Sequence, residues 1–383
     1  MRLLSICLLA SLILFSCGSK ESEQKTDYSS ISFSVDTVMV DPGEEILNLK
    51  YGLFVSDMTP DKQFLYLWDP DQNKVNEIDL NALELRNQFP FEKEGPDGVG
   101  NTFINVLALV ENNFVIGGFG SRGLFSKDGK KLQDLRIKPE EFTGDSLDAG
   151  RDYDSKPIIL ENASLMVGLM NNWMAGTFDL VKTDFDKKNI KKFTLPGIEE
   201  LPDYKIILRG DMMVSITGSD KNLRRVGSRA IFSNSAYADL YVLDLDSDSI
   251  RHVSYTPTLT KARKKGGYPD EVETEKAMEE LRETIYEEIN FLAPIWDEEK
   301  KVFYRFSYTS HKNPSYSPDV EDSPKFKNRV YLTVLNENLE LIGESFLEKL
   351  DFTPHSAFVK DGMIWSYLNV DDELAFRRIK LNL

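Results

Sequence analysis

The chain has 383 residues, of which 63 are Asp or Glu and 46 are Lys or Arg, so its formal net charge is −17. Because binding to nucleic acid depends on clustered Lys and Arg that displace counterions from phosphates, this charge argues against a nucleic-acid-binding protein. Hydrophobic residues make up 41% of the chain, which is enough to build a large globular core.

The N-terminus carries the pattern of a secretory signal peptide, predicted over residues 1–16. A positive residue precedes an apolar run at residues 3–15 that is too short to cross a bilayer as a helix. The sequence LFSC at residues 14–17 resembles the lipobox of bacterial lipoproteins, although Phe15 is bulkier than the usual residue at that position. The resemblance implies acylation of Cys17, with fatty acids such as palmitate, and a lipid anchor in the membrane. An ordinary signal peptide is the alternative.

The two cysteines and the segment after them support a tethered, exported protein. Cys7 lies inside the predicted signal peptide and Cys17 would be acylated, so the mature chain would have no thiol for a disulfide. Residues 17–30 are polar and predict a flexible tether. By resemblance to lipoprotein sorting rules, Gly18 favours the outer membrane, with the protein facing the periplasm or the cell surface. The folded domain would then span residues 31–383.

Past the tether, short apolar runs bounded by Gly, Pro, Asn and Asp predict strands joined by tight turns. Polar turns recur about every 50 to 60 residues, with four strands per unit, which is typical of a β-propeller. We therefore predict an all-β fold, a six-bladed β-propeller; seven blades or a pair of sandwiches are the alternatives. The predicted repeats lie near residues 51–92, 103–138, 157–196, 203–256, 290–347 and 354–380.

One interval between turns is longer than the others and contains an insertion near residues 269–290. Pro269 and acidic residues precede apolar residues at near-helical spacing, which predicts a helix. The last repeat shows about three strands. We predict that the leading strand at residues 31–40 supplies the fourth and closes the ring, because closure leaves few exposed sheet edges.

Several segments resemble a family of uncharacterised bacterial lipoproteins. These segments are EGPDGVG at residues 94–100, FLAPIWD at 291–297 leading into FYRFS at 303–307, and NVDDELAFRRIK at 369–380. The resemblance implies a six-bladed, TolB-like propeller and a lipid anchor. The family carries no established activity, so the resemblance implies no catalytic residues.

The candidate metal motifs are better explained as turns. Residues 69–73 and 244–248 look like calcium loops, but they lack the Gly and Glu that an EF-hand requires at its sixth and twelfth positions. His252, His311 and His355 do not have the spacing of a zinc site. We predict no metal and no cofactor.

Large polar and aromatic side chains mark a candidate ligand-binding face. Trp and Tyr offer flat surfaces for stacking on sugars or peptides, and Arg offers a bidentate fork. The candidates are Trp173, Trp296, Tyr304, Arg305 and His311. The alternative is that these side chains only pack between blades.

A second candidate face is basic. Basic residues at 224–229 and 261–265 stand out in this acidic chain and precede the acidic insertion. They either pair with the acidic helix or form a docking site for an acidic partner or anionic glycan.

These features favour a cell-envelope lipoprotein whose propeller binds a protein, peptide or glycan partner. A hydrolase or lyase with its site in the central channel is the alternative. Converging carboxylates, Asn and a histidine with a shifted pKa in the channel would favour the enzyme. An exposed aromatic patch would favour binding.

Overall fold

The computed structural model describes residues 28, 30–100, 103–148, 151–153, 155–172, 177–209, 214–317 and 323–382. The predicted signal peptide, Cys17 and most of the predicted tether lie outside these residues, and so does Trp173. Within the described ranges, no helix is both long enough and apolar enough to cross a membrane.

Small, mainly antiparallel sheets follow one another along the chain, and we number the six larger ones in chain order. Sheets 1 to 3 have the strands Ser56–Met58, Phe64–Asp69, Lys74–Asp79 and Glu84–Pro90; Ile104–Val110, Asn113–Gly118, Ser121–Ser126 and Lys131–Asp134; and Thr143–Gly144, Ile158–Leu160, Leu165–Asn172, Thr177–Asp184 and Asn189–Phe193.

Sheets 4 to 6 continue the same pattern. Their strands are Lys221–Val226, Arg229–Asn234, Leu240–Asp244 and Ile250–Val253; Asn290–Phe291, Ile295–Asp297, Val302–Lys312, Phe326–Asn336 and Leu341–Phe346; and Phe358–Lys360, Met363–Val370, Glu373–Asn382 and Ser32–Met39. Three short 3-10 helices lie between strands, at Pro139–Glu141, Glu161–Ala163 and Leu201–Tyr204.

Hydrophobic clusters join each sheet to the next, and the last sheet packs against the first. This explains why the middle strands are apolar runs rather than alternating patterns: both of their faces are buried. The pairs of sheets from 1–2 to 6–1 meet through residues such as Trp68 and Ile116, Val115 and Met166, Leu180 and Phe232, Val242 and Phe303, Val334 and Ile379, and Trp365 and Ile78. The fold is an all-β propeller, as predicted.

The chain's beginning closes the last sheet. Ser32–Met39 pairs antiparallel with Glu373–Asn382 over eight residue pairs, which confirms the predicted closure. Arg378 adds a two-pronged ion pair to Asp36, with N–O distances of 2.9 and 2.6 Å. Tyr28 was predicted to lie in the tether, but it is buried in the cluster between sheets 5 and 6.

Local turn chemistry fixes the hairpins. The Asp69 carboxylate accepts hydrogen bonds from the backbone N–H groups of Asp71 and Gln72, at 2.9 and 3.1 Å. The Asp244 carboxylate does the same for Ser247, at 2.7 Å. These are turns in which an Asp side chain caps the backbone. The two segments that look like calcium loops are therefore hairpin turns.

The insertion contains helix α1 (Glu275–Glu287), as predicted. Thr274 caps it by accepting a hydrogen bond from the Ala277 N–H at 3.2 Å. Fully buried Met278 packs against Ile206 and Leu208.

These two residues belong to a three-stranded sheet, the minor sheet, made of Ile206–Arg209, Val214–Thr217 and Glu271–Val272. The sequence placed residues 206–217 in the fourth repeat. Ile206–Arg209 and Val214–Thr217 lie outside sheet 4, and the apolar side of α1 covers Ile206 and Leu208.

Candidate functional site

The innermost strands of the larger sheets all run in the same direction along the channel, which defines two faces of the propeller. In each sheet the innermost strand begins at the end that also carries the turn between the second and third strands, as antiparallel pairing requires. We call this end the upper face. The segments that lead into the innermost strands meet there, at the mouth of the central channel.

A cavity of about 540 Å³ lies at this mouth. Its walls come from the starts of the innermost strands of sheets 4 to 6, from the upper end of sheet 3, from the minor sheet and the residues just before it, and from the segment before sheet 1. One part of the wall is apolar and includes Phe54, Leu169, Ile216, Phe291 and Ile295. The rest is polar, so the cavity can contact a ligand with both characters.

The charged groups of the described wall are mostly basic. Lys205, Lys221 and Arg224 line the cavity, against one carboxylate, that of Asp220. Arg224 is open to the cavity, but protein surrounds it, and this burial lowers the pKa of its guanidinium, an effect that the Asp57 carboxylate opposes. The mouth of the channel is thus a basic site in a strongly acidic protein.

More basic side chains lie close to Arg224. Burial lowers the pKa of the Lys62 ammonium; Asp57 opposes this effect, and the charges of Lys156 and Arg224 add to it. Lys156 is paired, since its Nζ lies 2.6 Å from Asp57 Oδ1. The other oxygen of Asp57 accepts the Leu109 N–H at 2.7 Å. Both oxygens of this carboxylate are therefore already in use.

Of the titratable side chains that line the cavity, His355 is the one whose ordinary pKa lies closest to neutral pH. Burial lowers the pKa of its imidazole, and Asp220 opposes this effect. Its ring meets the Tyr308 ring edge-on, with centroids 6.2 Å apart. At neutral pH the imidazole is uncharged, so it adds a hydrogen-bonding group rather than a positive charge.

None of the candidate residues that the structure describes, Trp296, Tyr304, Arg305 and His311, lines the cavity. Trp296 is half-buried between sheets 4 and 5, with its ring 4.6 Å from Phe303. Tyr304 is buried and donates its hydroxyl to Asp297 at 3.2 Å. His311 is half-buried, with its Nε2 3.0 Å from the Thr309 hydroxyl. Trp173, the remaining aromatic candidate, lies outside the described residues.

Arg305 has a structural role. Its side chain is completely buried and lies over Phe291 at 4.9 Å. It donates to the Tyr255 hydroxyl at 3.0 Å and to backbone carbonyls of sheet 5 and of the turn after the second strand of sheet 4: those of Leu292, Ala238, Asn234 and Tyr237. The guanidinium ties sheet 4 to sheet 5 and does not line the cavity.

The basic run at residues 261–265 is tied to the protein. Arg263 pairs with Glu200 at 2.6 Å. The Lys265 N–H donates to Glu288, just after α1, at 2.7 Å. Lys264 points inward and donates to the Asn290 side chain at 2.6 Å. Of the two basic segments, only 224–229 contributes to the cavity.

An aromatic surface borders the cavity on the upper face. We call it the aromatic rim: Tyr51, Phe54, Phe103 and Phe119. Phe119 is 75% exposed and Phe103 is 52% exposed. The Tyr51 and Phe103 rings meet edge-on at 5.1 Å, and Phe54 also lines the cavity. Sequence reasoning missed the rim because its members come from three separate connections.

No cluster of three His, Cys, Asp or Glu side chains suited to a metal ion occurs in the described part of the chain.

Comparison with protein families assigns the chain to one of them. The model of a domain of unknown function, DUF4221, matches residues 28–346. The chain belongs to this family. The match begins at Tyr28, which is also the first residue that the structure describes.

Solved structures agree on the fold. The DUF4221 chain is similar to a member of that family from Bacteroides vulgatus, with 16% identity and a TM-score of 0.63 over 93% of this chain and 99% of that one. It is also similar to a protein from Bacteroides fragilis described as a candidate exported protein, with 10% identity and a TM-score of 0.51 over the same shares. No curated protein matches the chain.

Proposed function

We propose that this DUF4221 protein is an exported, lipid-anchored propeller that binds a protein, peptide or glycan partner of the cell envelope across its upper face. The observation that carries the proposal is the aromatic rim beside the cavity. Exposed aromatic side chains gathered on one surface mark interaction sites, because their burial against a partner is favourable.

Six blades are part of the proposal. The six larger sheets each pack on their neighbours, and sheets 3 and 4 are in direct contact through the rings of Phe178 and Phe232, whose centroids lie 5.1 Å apart. The minor sheet does not separate them. It packs with α1 instead, so we assign it to the insertion rather than to a seventh blade.

The anchor is inferred from the sequence. The LFSC motif at residues 14–17 and the polar segment after it are typical of outer-membrane lipoproteins. The B. fragilis relative, described as a candidate exported protein, agrees with export. With a net charge of −17, the chain would be held at a membrane by its lipid rather than by basic residues.

Metabolic labelling with an alkyne fatty acid tests the anchor. We expect the full chain to be labelled in a cell that exports lipoproteins, and Cys17→Ala to lose the label. Label that survives Cys17→Ala would contradict lipidation at this residue.

Site-specific photocrosslinking tests partner binding. We expect a benzophenone amino acid at Phe103 or Phe119 of the full chain to crosslink an envelope component in cells. Leu132 is the matched control, because it lies on the outermost strand of sheet 2 and is 52% exposed, like Phe103. Equal crosslinking from Leu132, or none from either rim position, would refute the rim as the binding surface.

One observation favours the alternative of a hydrolase or lyase. His355 lies in the cavity, and its lowered pKa keeps it neutral, as a general base must be. If the cavity is catalytic, His355→Asn should abolish turnover of a fluorogenic glycoside or ester that the full chain hydrolyses, while leaving rim crosslinking intact.

A further inference from the structure

We propose that the cavity at the mouth of the channel binds a small organic anion, with Arg224 as the principal contact to its oxyanion. This inference deepens the proposed function by naming the chemistry of a ligand at the upper face. It rests on the cavity rather than on the rim, so either can fail without the other.

Charge is distributed unevenly between the cavity wall and the rest of the protein. The chain as a whole carries −17, yet the described cavity wall has three basic side chains and one carboxylate. The excess positive charge faces a confined space surrounded by protein, where it acts on a ligand more strongly than on an open surface. Such a site attracts anions and repels cations.

Arg224 has N–H donors that no described protein group accepts. Its guanidinium makes no hydrogen bond or close ion pair with any residue that the structure describes, and burial has already lowered its pKa. The carboxylate that influences it, Asp57, is occupied by Lys156 and by the Leu109 N–H. Since Arg224 is an exposed residue that opens into the cavity, its N–H groups are accessible to an oxyanion that accepts two of them.

A second unused polar group lines the same cavity. The Ser219 side chain is half-buried and its Oγ is shielded from solvent; within the described residues it has no hydrogen-bond partner. Ser219 and Arg224 both line the cavity. Because this Oγ is shielded, a turn of the Ser219 side chain toward the cavity is needed to bring its hydroxyl to a ligand oxyanion.

The size and the apolar wall of the cavity indicate what kind of anion it suits. A cavity of about 540 Å³ falls within the range of sites for small organic ligands. Exposed Phe54 and half-buried Ile216 and Ile295 provide apolar surface in its wall. An inorganic ion alone would leave these surfaces uncovered, so the ligand should combine an anionic group with a ring or carbon skeleton.

A carboxylate and a phosphate ester share this chemistry, and titration calorimetry on the purified full chain separates them. The probes are glucuronate and glucose 6-phosphate, with glucose as the neutral control of the same ring size. We expect saturable binding of at least one anionic sugar and binding of glucose weaker by at least about tenfold. Affinity should fall as salt is raised from about 0.05 to about 0.5 M.

Variants assign the binding to the cavity. Arg224→Gln should weaken binding of the anionic sugar by about tenfold or more. Arg225→Gln is the matched control, because its side chain is exposed, bonds to the Gly227 carbonyl and does not line the cavity. Lys221→Gln is a second cavity variant, with a smaller expected loss. Thermal unfolding of each variant checks that it is folded.

The proposal is overturned if neither anionic sugar binds, if glucose binds as tightly as they do, or if folded Arg224→Gln binds as tightly as the unmodified chain. Rim crosslinking measured on Arg224→Gln separates the two proposals, since a partner that needs only the aromatic rim will still be captured.

Discussion

At the scale of single residues, the basic side chains of this protein divide into structural and available groups. Arg305 and Lys264 are buried and donate to protein acceptors, whereas Arg224 opens into the cavity. Sequence alone cannot tell a buried basic residue from an accessible one. Alternation along a strand would place the neighbours Tyr304 and Arg305 on opposite faces, yet both are buried. Only the packing of sheets on either side decides which side chain reaches solvent.

Lys264 gives the protein a pH-dependent stability. It is 7% exposed, and burial lowers the pKa of its ammonium to about 8, from 10.5. Between these values the unfolded chain holds more protons than the folded one, so stability rises with pH across this window. Lys264→Met removes this contribution. From pH 7 to pH 10 we expect the unmodified chain to gain up to about 3 kcal/mol relative to the variant.

Urea unfolding at pH 7 and at pH 10 measures this gain. Lys261→Met, three positions away on an exposed side chain, is the control and should not change the pH profile. A constant difference in unfolding free energy between Lys264→Met and the unmodified chain at both pH values would show that Lys264 does not titrate in this window.

Removing Arg305 should damage stability, not ligand binding. Arg305→Met leaves the carbonyls of Leu292, Ala238 and Tyr237 without their buried donor. We expect a loss of about 3 to 5 kcal/mol in the free energy of unfolding, because buried acceptors would be left unpaired. Denaturant titration measures it. A variant of normal stability that fails to bind the anionic sugars would instead restore Arg305 as a ligand-binding residue.

At the scale of elements, the sequence predicted the strands well because their signals are local. Apolar runs and turn residues such as Asp69 and Asp244 are read within a few positions. The minor sheet was missed because Ile206–Arg209 looks like any other strand, while its partner Glu271–Val272 lies far along the chain. The cavity was missed for the same reason: its wall comes from segments spread between Phe54 and Ala357, and none carries a motif.

The edge of sheet 5 positions the start of the folded chain. Ser345 donates its hydroxyl to the Tyr28 carbonyl at 3.0 Å, and a Cβ at Gly343 would come within 2.1 Å of Tyr28 Cβ. Gly343→Ala should therefore displace Tyr28 while the propeller stays folded. We expect chymotrypsin to cut after Tyr28 several-fold faster in this variant, as followed by mass spectrometry.

Gly218 is the control, because a Cβ there would meet nothing closer than 3.9 Å. Gly218→Ala should leave the cleavage rate unchanged. If Gly343→Ala is cut no faster than the unmodified chain, Tyr28 does not depend on this contact.

At the scale of the whole molecule, the ring separates its tasks. The chain enters at the outer edge, between sheets 5 and 6, whereas the cavity and the rim lie at the mouth of the channel on the upper face. Tyr28 therefore lies away from the mouth of the channel. The sequence could predict the ring from its repeats, but not which side chains point into the channel.

The strand that closes the ring also determines how the protein would respond to force. Under the proposed function, a membrane anchor would pull on the chain before Tyr28, and a partner bound on the upper face would pull on the ring. The load then runs along Ser32–Met39, whose eight pairs with Glu373–Asn382 must slip together in shear instead of parting one by one. The pairing between the two ends of the chain is therefore strongest against force along the strand, which is the direction in which an anchored protein would be stretched.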